Sequence, residues 1–308
     1  MTHPTGEQFE LETTTSTGDV RATVTAVAAG LRTLTINGID LVPPFGEERT
    51  PPSGAGIVLV PWPNRIRDGV WTHGETTHQL AITEPPRNTA IHGLLRYTEY
   101  TPVDRDRDSV TLAATIHPQL GYPFLVRTAV RYELVSDGMK VTHFLENLGA
   151  DPAPVAVGTH PYLKIGGVPT EELTLRLDAA SHIEVDDRLL PVGEVPVDGT
   201  EWDLRDGRRV GDLSLDDAFG ELESVDGTVE HTLTAPDGRS VSVWADDEFA
   251  YVQVYTTAAF PGESAAIAVE PMTAPADAFN SGKGLRWLDP GEQWEVSWGI
   301  RFAGFAAE

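Results

Sequence analysis

The stretch Leu31-Arg32-Thr33-Leu34-Thr35-Ile36-Asn37-Gly38-Ile39-Asp40-Leu41-Val42 sets two short aliphatic and β-branched runs on either side of Asn-Gly. Asn-Gly readily supplies the two positive-φ positions of a type I′ turn, whose twist matches that of paired strands. The stretch therefore reads as a hairpin. Upstream, residues 8–15 and 20–28 alternate Thr, Val, Phe and Leu with polar residues around Ser16-Thr17-Gly18-Asp19, so the chain opens as a meander. Downstream, strand-length runs recur at 57–60, 109–116, 126–135, 139–146, 173–178, 240–245, 250–257, 265–270 and 294–302, with turns such as Ser136-Asp137-Gly138 and Pro236-Asp237-Gly238 between them. No apolar pattern at i, i+3, i+4 and i+7 lasts three turns, so helices are not expected. The strands outnumber those of an immunoglobulin sandwich, and no repeat of about 40 to 50 residues supports a propeller. The expectation is all-β: one large antiparallel β-sandwich, a single domain over residues 1–308. Residues 190–212, acidic and punctuated by Gly and Pro, read as a long surface excursion from it.

A chain of 308 residues, 40% apolar, can bury a substantial core. Its 47 acidic residues against 22 basic give a formal charge of -25, which opposes nucleic-acid phosphates and anionic bilayers. A neutral small molecule suits this charge better than an anionic one. With no cysteine, disulfides and thiolate chemistry are both out of reach. The first residues carry no basic or apolar signal segment, and no apolar run approaches the ~20 residues of a membrane span. The reading is a cytoplasmic protein.

Five segments could carry chemistry. In Pro61-Trp62-Pro63-Asn64-Arg65 two prolines stiffen a loop that offers amide and guanidinium donors, although Arg65 could equally pair with an acidic neighbour. In Asn88-Thr89-Ala90-Ile91-His92-Gly93 the glycine permits close backbone approach beside His92. In Gly158-Thr159-His160-Pro161-Tyr162 the proline biases His160 toward an extended conformation at a strand end, with Thr159 and Tyr162 as candidate hydrogen-bond partners. An imidazole there is either an acid or base near neutrality or a satisfied core histidine. Glu270 ends the small-apolar run Ala265-Ala266-Ile267-Ala268-Val269, where burial needs compensation by a salt bridge to Arg65, or else raises the carboxylate pKa toward a value useful for a general base. Leu215-Asp216-Asp217-Ala218-Phe219 reads as a surface loop whose aspartates are solvated. His92, His160, Asp216 and Glu270 lack the close spacing of a dedicated zinc motif, and Gly282-Lys283-Gly284 is not a phosphate-binding loop, so no metal or nucleotide is expected.

Taken in order, Pro63-Asn64-Arg65, Asn88-x-x-x-His92-Gly93, Gly158-x-His160-Pro161-Tyr162, Leu215-Asp216-x-x-Phe219 and Val269-Glu270-Pro271 resemble the aldose 1-epimerase (galactose mutarotase) family over nearly the whole chain. The resemblance implies a β-supersandwich with a cleft on one concave face and no cofactor. It implies Glu270 as the base that takes the anomeric hydroxyl proton and His160 as the acid that protonates the ring oxygen. Arg65, His92 and Asp216 match positions that hold the sugar, with Asn64 beside them. Glu270 and His160 are then expected to face each other across a sugar-sized pocket. The Pro-Trp-Pro-Asn-Arg form looks like a divergent bacterial branch. A free aldohexose is the expected substrate and the protein a monomer or homodimer. The alternatives are an epimerase of a phosphorylated or modified hexose, if two or three of Arg65, Arg67, Arg87 and Arg96 converge, and a non-catalytic sugar-binding sandwich.

Overall fold

In the computed structural model, which describes residues 3–305, Asn37 and Gly38 both take positive φ, 51° and 76°, and Ile36 pairs with Ile39 across them. Gln8–Thr15, Gly18–Thr25, Gly30–Ile36 and Ile39–Asp40 form the expected antiparallel meander.

Two large sheets follow. The first has nine strands, ordered Thr101–Arg105, Ser109–Ile116, Val126–Val135, Gly138–Asn147, Gln293–Ala303, Ser240–Asp246, Thr228–Thr234, Thr174–Leu177 and Arg208–Arg209. Its long central strands alternate as the pleat demands: every second residue of Val126–Val135 is buried, from Val126 to Leu134. The second sheet runs Pro191–Pro196, Ala179–Val185, Asp216–Leu222, Tyr251–Thr257, Ala266–Met272, Gly158–Thr159 and Val58–Leu59, with Tyr162–Leu163 also on Ala266–Met272. Val130 and Val141 of the first sheet, Val252, Val254, Ile267 and Val269 of the second, and Leu11 and Leu34 of the meander share one apolar core. Each such side chain contributes about 1.5–3 kcal/mol by leaving water. The chain is thus an all-β, antiparallel sandwich. Among the described residues the one α-helix, Ala278–Ser281, is four residues long. No helix among the described residues is long and apolar enough to cross a membrane.

Two local expectations are corrected. The stretch 190–212 is no simple excursion, because Pro191–Pro196 pairs with Ala179–Val185, and Val197, Leu204 and Val210 are buried. Asp216 does not sit on a surface loop: it opens the strand Asp216–Leu222, which pairs on both sides. Two adjacent aspartates disguise a strand whose neighbours, rather than its own composition, hold it in place.

Three buried histidines resist protonation. Burial lowers His231 and His160 to about 4 and His143 to about 3. His143 Nε2 accepts the Trp298 indole N–H at 3.0 Å, whereas neither ring nitrogen of His231 has a partner. Their folded pKa values lie below the unfolded ~6.5, so stability is complete above that pH and is lost as pH falls through the window toward 4. His231→Leu should therefore stabilise the protein by about 1 kcal/mol at pH 7.5 and by about 2 kcal/mol more at pH 5, measured in urea melts. An equal gain at both pH values would contradict the role given to burial.

Candidate active site

The period of two along the Ala266–Met272 strand divides its side chains. Ile267 and Val269 enter the main core, while on the other face Ala266 and Ala268 pack in a small cluster with Tyr162 and Phe260, and Glu270 lines a cleft of about 300 Å³. The neighbouring strands do the same: Val252 and Val254 face inward while Gln253 and Tyr255 line the cleft, and Asp216 lines it from the next strand. Gln253 stands opposite Glu270 in the ladder, and its Nε2 donates to Asp216 Oδ1 at 2.8 Å.

His160 reaches the same cleft through a broken strand. Gly158 pairs with Met272 and Tyr162 with Ala268, in one register on both sides of the break, which sets His160 opposite Glu270. The backbone of His160 is held instead by the loop before Val58: Gly56 N–H donates to its carbonyl at 2.8 Å, and its own N–H donates to Ile57 O at 3.1 Å. Nε2 then lies 3.3 Å from Glu270 Oε1, with both side chains buried. The two groups share one wall of the cleft, rather than facing each other across it. The expected hydrogen bonds from Thr159 and Tyr162 are not made; the Tyr162 ring stacks on the imidazole with centroids 5.3 Å apart.

Asn64, Arg65 and His92 arrive together. Arg65–Arg67 pairs with Thr89–Ile91, and His92 N–H donates to Asn64 O at 2.8 Å, so the two loops form one arm over the cleft. Trp62, almost wholly buried, anchors the arm edge-on against Phe279 at 5.3 Å. Gly93 is needed for packing rather than for a ligand: at φ 71° a Cβ there would lie 2.1 Å from Val60 O. The His92 ring stands edge-on to His160 at 5.7 Å. Arg65 does not bridge to Glu270. Its Nε and Nη2 hold Glu84 at 2.8 and 3.2 Å, its Nη1 donates to Asn64 Oδ1 at 3.2 Å, and Asp216 is 3.8 Å away.

With this geometry in view, comparison with known proteins is direct. A sequence profile described as aldose 1-epimerase matches residues 12–301. The chain belongs to the aldose 1-epimerase family. It is 34% identical over 292 residues to the uncharacterized protein YihR of Escherichia coli (strain K12), covering 94% of this chain and 91% of that one. Among solved structures it is similar to the GalM/aldose epimerase homologue from C. elegans (TM-score 0.83, 21% identity, 96% of this chain and 99% of that one). It is also similar to galactose 1-epimerase from Lactobacillus acidophilus NCFM (TM-score 0.77, 21% identity, 96% and 93%). At these identities the structural likeness speaks for the fold.

In this aldose 1-epimerase family member the cleft brings together all six residues singled out from sequence: Asn64, Arg65, His92, His160, Asp216 and Glu270. Sequence reasoning missed Glu84 and Gln253, which also line it. Gln253 sits mid-strand in Tyr-Val-Gln-Val-Tyr, where a polar residue reads as solvent-facing, and Glu84 precedes two prolines in what reads as an ordinary turn. Among the described residues no group of three or more His, Asp or Glu is placed to hold a metal ion.

Burial, and after it the charge of Asp216, push the Glu270 carboxyl well above its usual range, with Arg65 pulling the other way. Burial likewise raises Asp216 against the opposing charges of Arg65 and Arg87. His92 is driven well below its ordinary value by burial and then by His160, Arg65 and Arg96. Low dielectric thus disfavours charge on both Glu270 and His160. Because the folded pKa of Glu270 exceeds the unfolded value near 4.5, its contribution is most favourable at low pH and is lost as pH rises through the folded value. Glu270→Gln should then be more stable than the wild type by roughly 1–3 kcal/mol at pH 8, with the difference shrinking toward pH 4.5 in thermal melts. A variant that is less stable at pH 8 would contradict the assigned burial cost.

Proposed function

We propose that the protein is an aldose 1-epimerase that interconverts the α and β anomers of a free aldohexose, with the whole chain acting as one domain. The observation that carries this reading is the 3.3 Å contact between Glu270 and His160 on one wall of a polar cleft. Opening a cyclic hemiacetal removes the proton from O1, breaks the bond between C1 and the ring oxygen, and delivers a proton to that oxygen. Both oxygens are bonded to C1, so a base and an acid that address them must be neighbours. Glu270 takes the O1 proton as the C1–O1 bond becomes a carbonyl, and His160 gives its proton to the ring oxygen. The aldehyde turns about C1–C2, and ring closure on its other face returns both protons. Protons balance over the cycle and no electrons are transferred, so the reading calls for neither metal nor redox cofactor.

A neutral pair, carboxylic acid beside imidazole, and the reactive pair, carboxylate beside imidazolium, carry the same number of protons. A single proton shift from Glu270 to His160 prepares the site without exchange with solvent. Arg65, His92, Asp216 and Asn64 hold the sugar: Arg65 donates, Asp216 accepts, and His92, neutral at physiological pH, positions the ring oxygen edge. A non-catalytic sugar-binding sandwich would gain nothing from burying this proton-sharing pair.

One observation favours a second reading, an anionic hexose. Arg65 and Arg87 both line the cleft, and Arg87 Nε has no hydrogen-bond partner. Arg67 and Arg96 do not join them, since Arg67 turns to Asp277 and Asp186 and Arg96 to Thr83 O. Glu84 already bonds both cleft arginines, leaving the neutral sugar as the better fit. Polarimetry across neutral aldoses and hexose 6-phosphates separates the two.

Glu270→Gln and His160→Asn should each lower the catalysed mutarotation rate by about 1,000-fold or more while the fold is kept, and His92→Asn by about 10- to 100-fold. The wild-type rate should follow a bell in pH, falling where the pair gains a second proton and where it loses its last. Near-normal rates in the first two variants would refute the assignment.

A further inference from the structure

Glu84 is not used by the proton-transfer scheme, yet its carboxylate gathers four hydrogen bonds: from Arg65 Nε at 2.8 Å and Nη2 at 3.2 Å, from Arg87 Nη1 at 3.2 Å and from Thr89 Oγ1 at 2.6 Å. We propose that Glu84 is a positioning residue, which locks the Arg65 guanidinium side-on so that its remaining N–H pair points at the sugar. This rests on the reading of Arg65 as a sugar-holding group.

The accounting of donors makes the case. A guanidinium has five N–H bonds in one plane. Glu84 takes the Nε edge in bidentate fashion and Asn64 Oδ1 takes one N–H of Nη1 at 3.2 Å. Two N–H bonds are left, one on Nη1 and one on Nη2, a fork of donors. Asp216 Oδ2, at 3.8 Å from Nη2, is too far to consume them in the unliganded cleft. The fork is therefore free for oxygens of a ligand. Without Glu84 the side-on edge would lose its partner, and Arg65 would turn toward Asp216 or Glu270, two carboxylates on the same wall.

Burial alone would raise the Glu84 carboxyl, but hydrogen bonds from Arg65 and Thr89 and the charges of Arg65 and Arg87 bring it below its ordinary value. The same hydrogen bonds that orient Arg65 thus favour the charged carboxylate that makes them. Thr89 lies on the strand that pairs with Arg65–Arg67, so the carboxylate is itself fixed to the arm that carries Arg65.

The test compares Glu84→Gln in the wild-type and Arg65→Lys backgrounds, with mutarotation read by polarimetry and the crystal structure of Glu84→Gln solved in parallel. In the wild-type background kcat/KM should fall about 10- to 100-fold; in the Arg65→Lys background, where no fork remains to orient, the same change should cost less than about threefold. Equal losses in both backgrounds, or no loss in either, would overturn the proposal. The crystal structure should show the Arg65 guanidinium rotated off its present plane, and an unmoved Arg65 would overturn it too. That structural readout does not depend on turnover: a wild type inactive on every sugar would sink the functional reading and leave the positioning of Arg65 to be decided by the rotation alone.

Discussion

The site depends on strand register. Gly158 faces Met272 and Tyr162 faces Ala268, so His160 falls opposite Glu270 although 110 positions separate them in sequence. A slip of one residue along Ala266–Met272 would turn Glu270 toward the main core that holds Ile267 and Val269. Register is pinned there because those two side chains have no other apolar place to go. The same core that stabilises the fold therefore fixes which side chains meet in the cleft.

The contact at Glu270 and His160 is costly for folding. Each group loses its preferred charge on burial, and neither has a partner of fixed charge close enough to compensate: Arg65 is committed to Glu84 and Asn64, and His160 Nδ1 makes no hydrogen bond. What the pair gains from confinement is coupling. Glu270 and His160, in contact under the Tyr162 ring and the arm that carries His92, are placed so that the proton state of each depends on the other. Asp216 adds a further raising influence on Glu270 from the adjacent part of the sheet, and Arg65 moderates it. The network around the pair thus sets its proton affinity as well as the shape of the cleft.

Much of the fold was legible because long central strands obey the pleat. Residues 109–116 and 126–135 read from sequence coincide with Ser109–Ile116 and Val126–Val135, and in the second of these alternation runs uninterrupted. Strands with inward polar residues were not legible. Thr228–Thr234 buries His231 among its apolar positions, and Asp216–Leu222 starts with two aspartates, so both lose the two-residue rhythm. At the site, His160 and Glu270 were found because a proline-flanked histidine and a carboxylate at the end of an apolar run stand out locally, and family order joined them. Gln253 and Glu84 have no local signal of that kind. Gln253 is recognisable only when Asp216 is known to lie beside it, and Glu84 only through Arg65 nineteen residues earlier.

The orientation of the polar groups carries a chemical direction. Arg65 Nη1 donates to Asn64 Oδ1, Asn64 Nδ2 donates to Gln253 Oε1 at 3.1 Å, and Gln253 Nε2 donates to Asp216 Oδ1. The amides can face only one way, since a guanidinium only donates and an ionised carboxylate only accepts. The chain therefore leaves spare donors at Arg65 and spare acceptors at Asp216, close together on the same cleft. An apolar ligand would leave both unpaired, and a purely anionic one would satisfy the first while offering nothing to the second. A run of hydroxyl groups, each able to give and receive, meets both ends at once, and this is the character that the proposed sugar substrate brings.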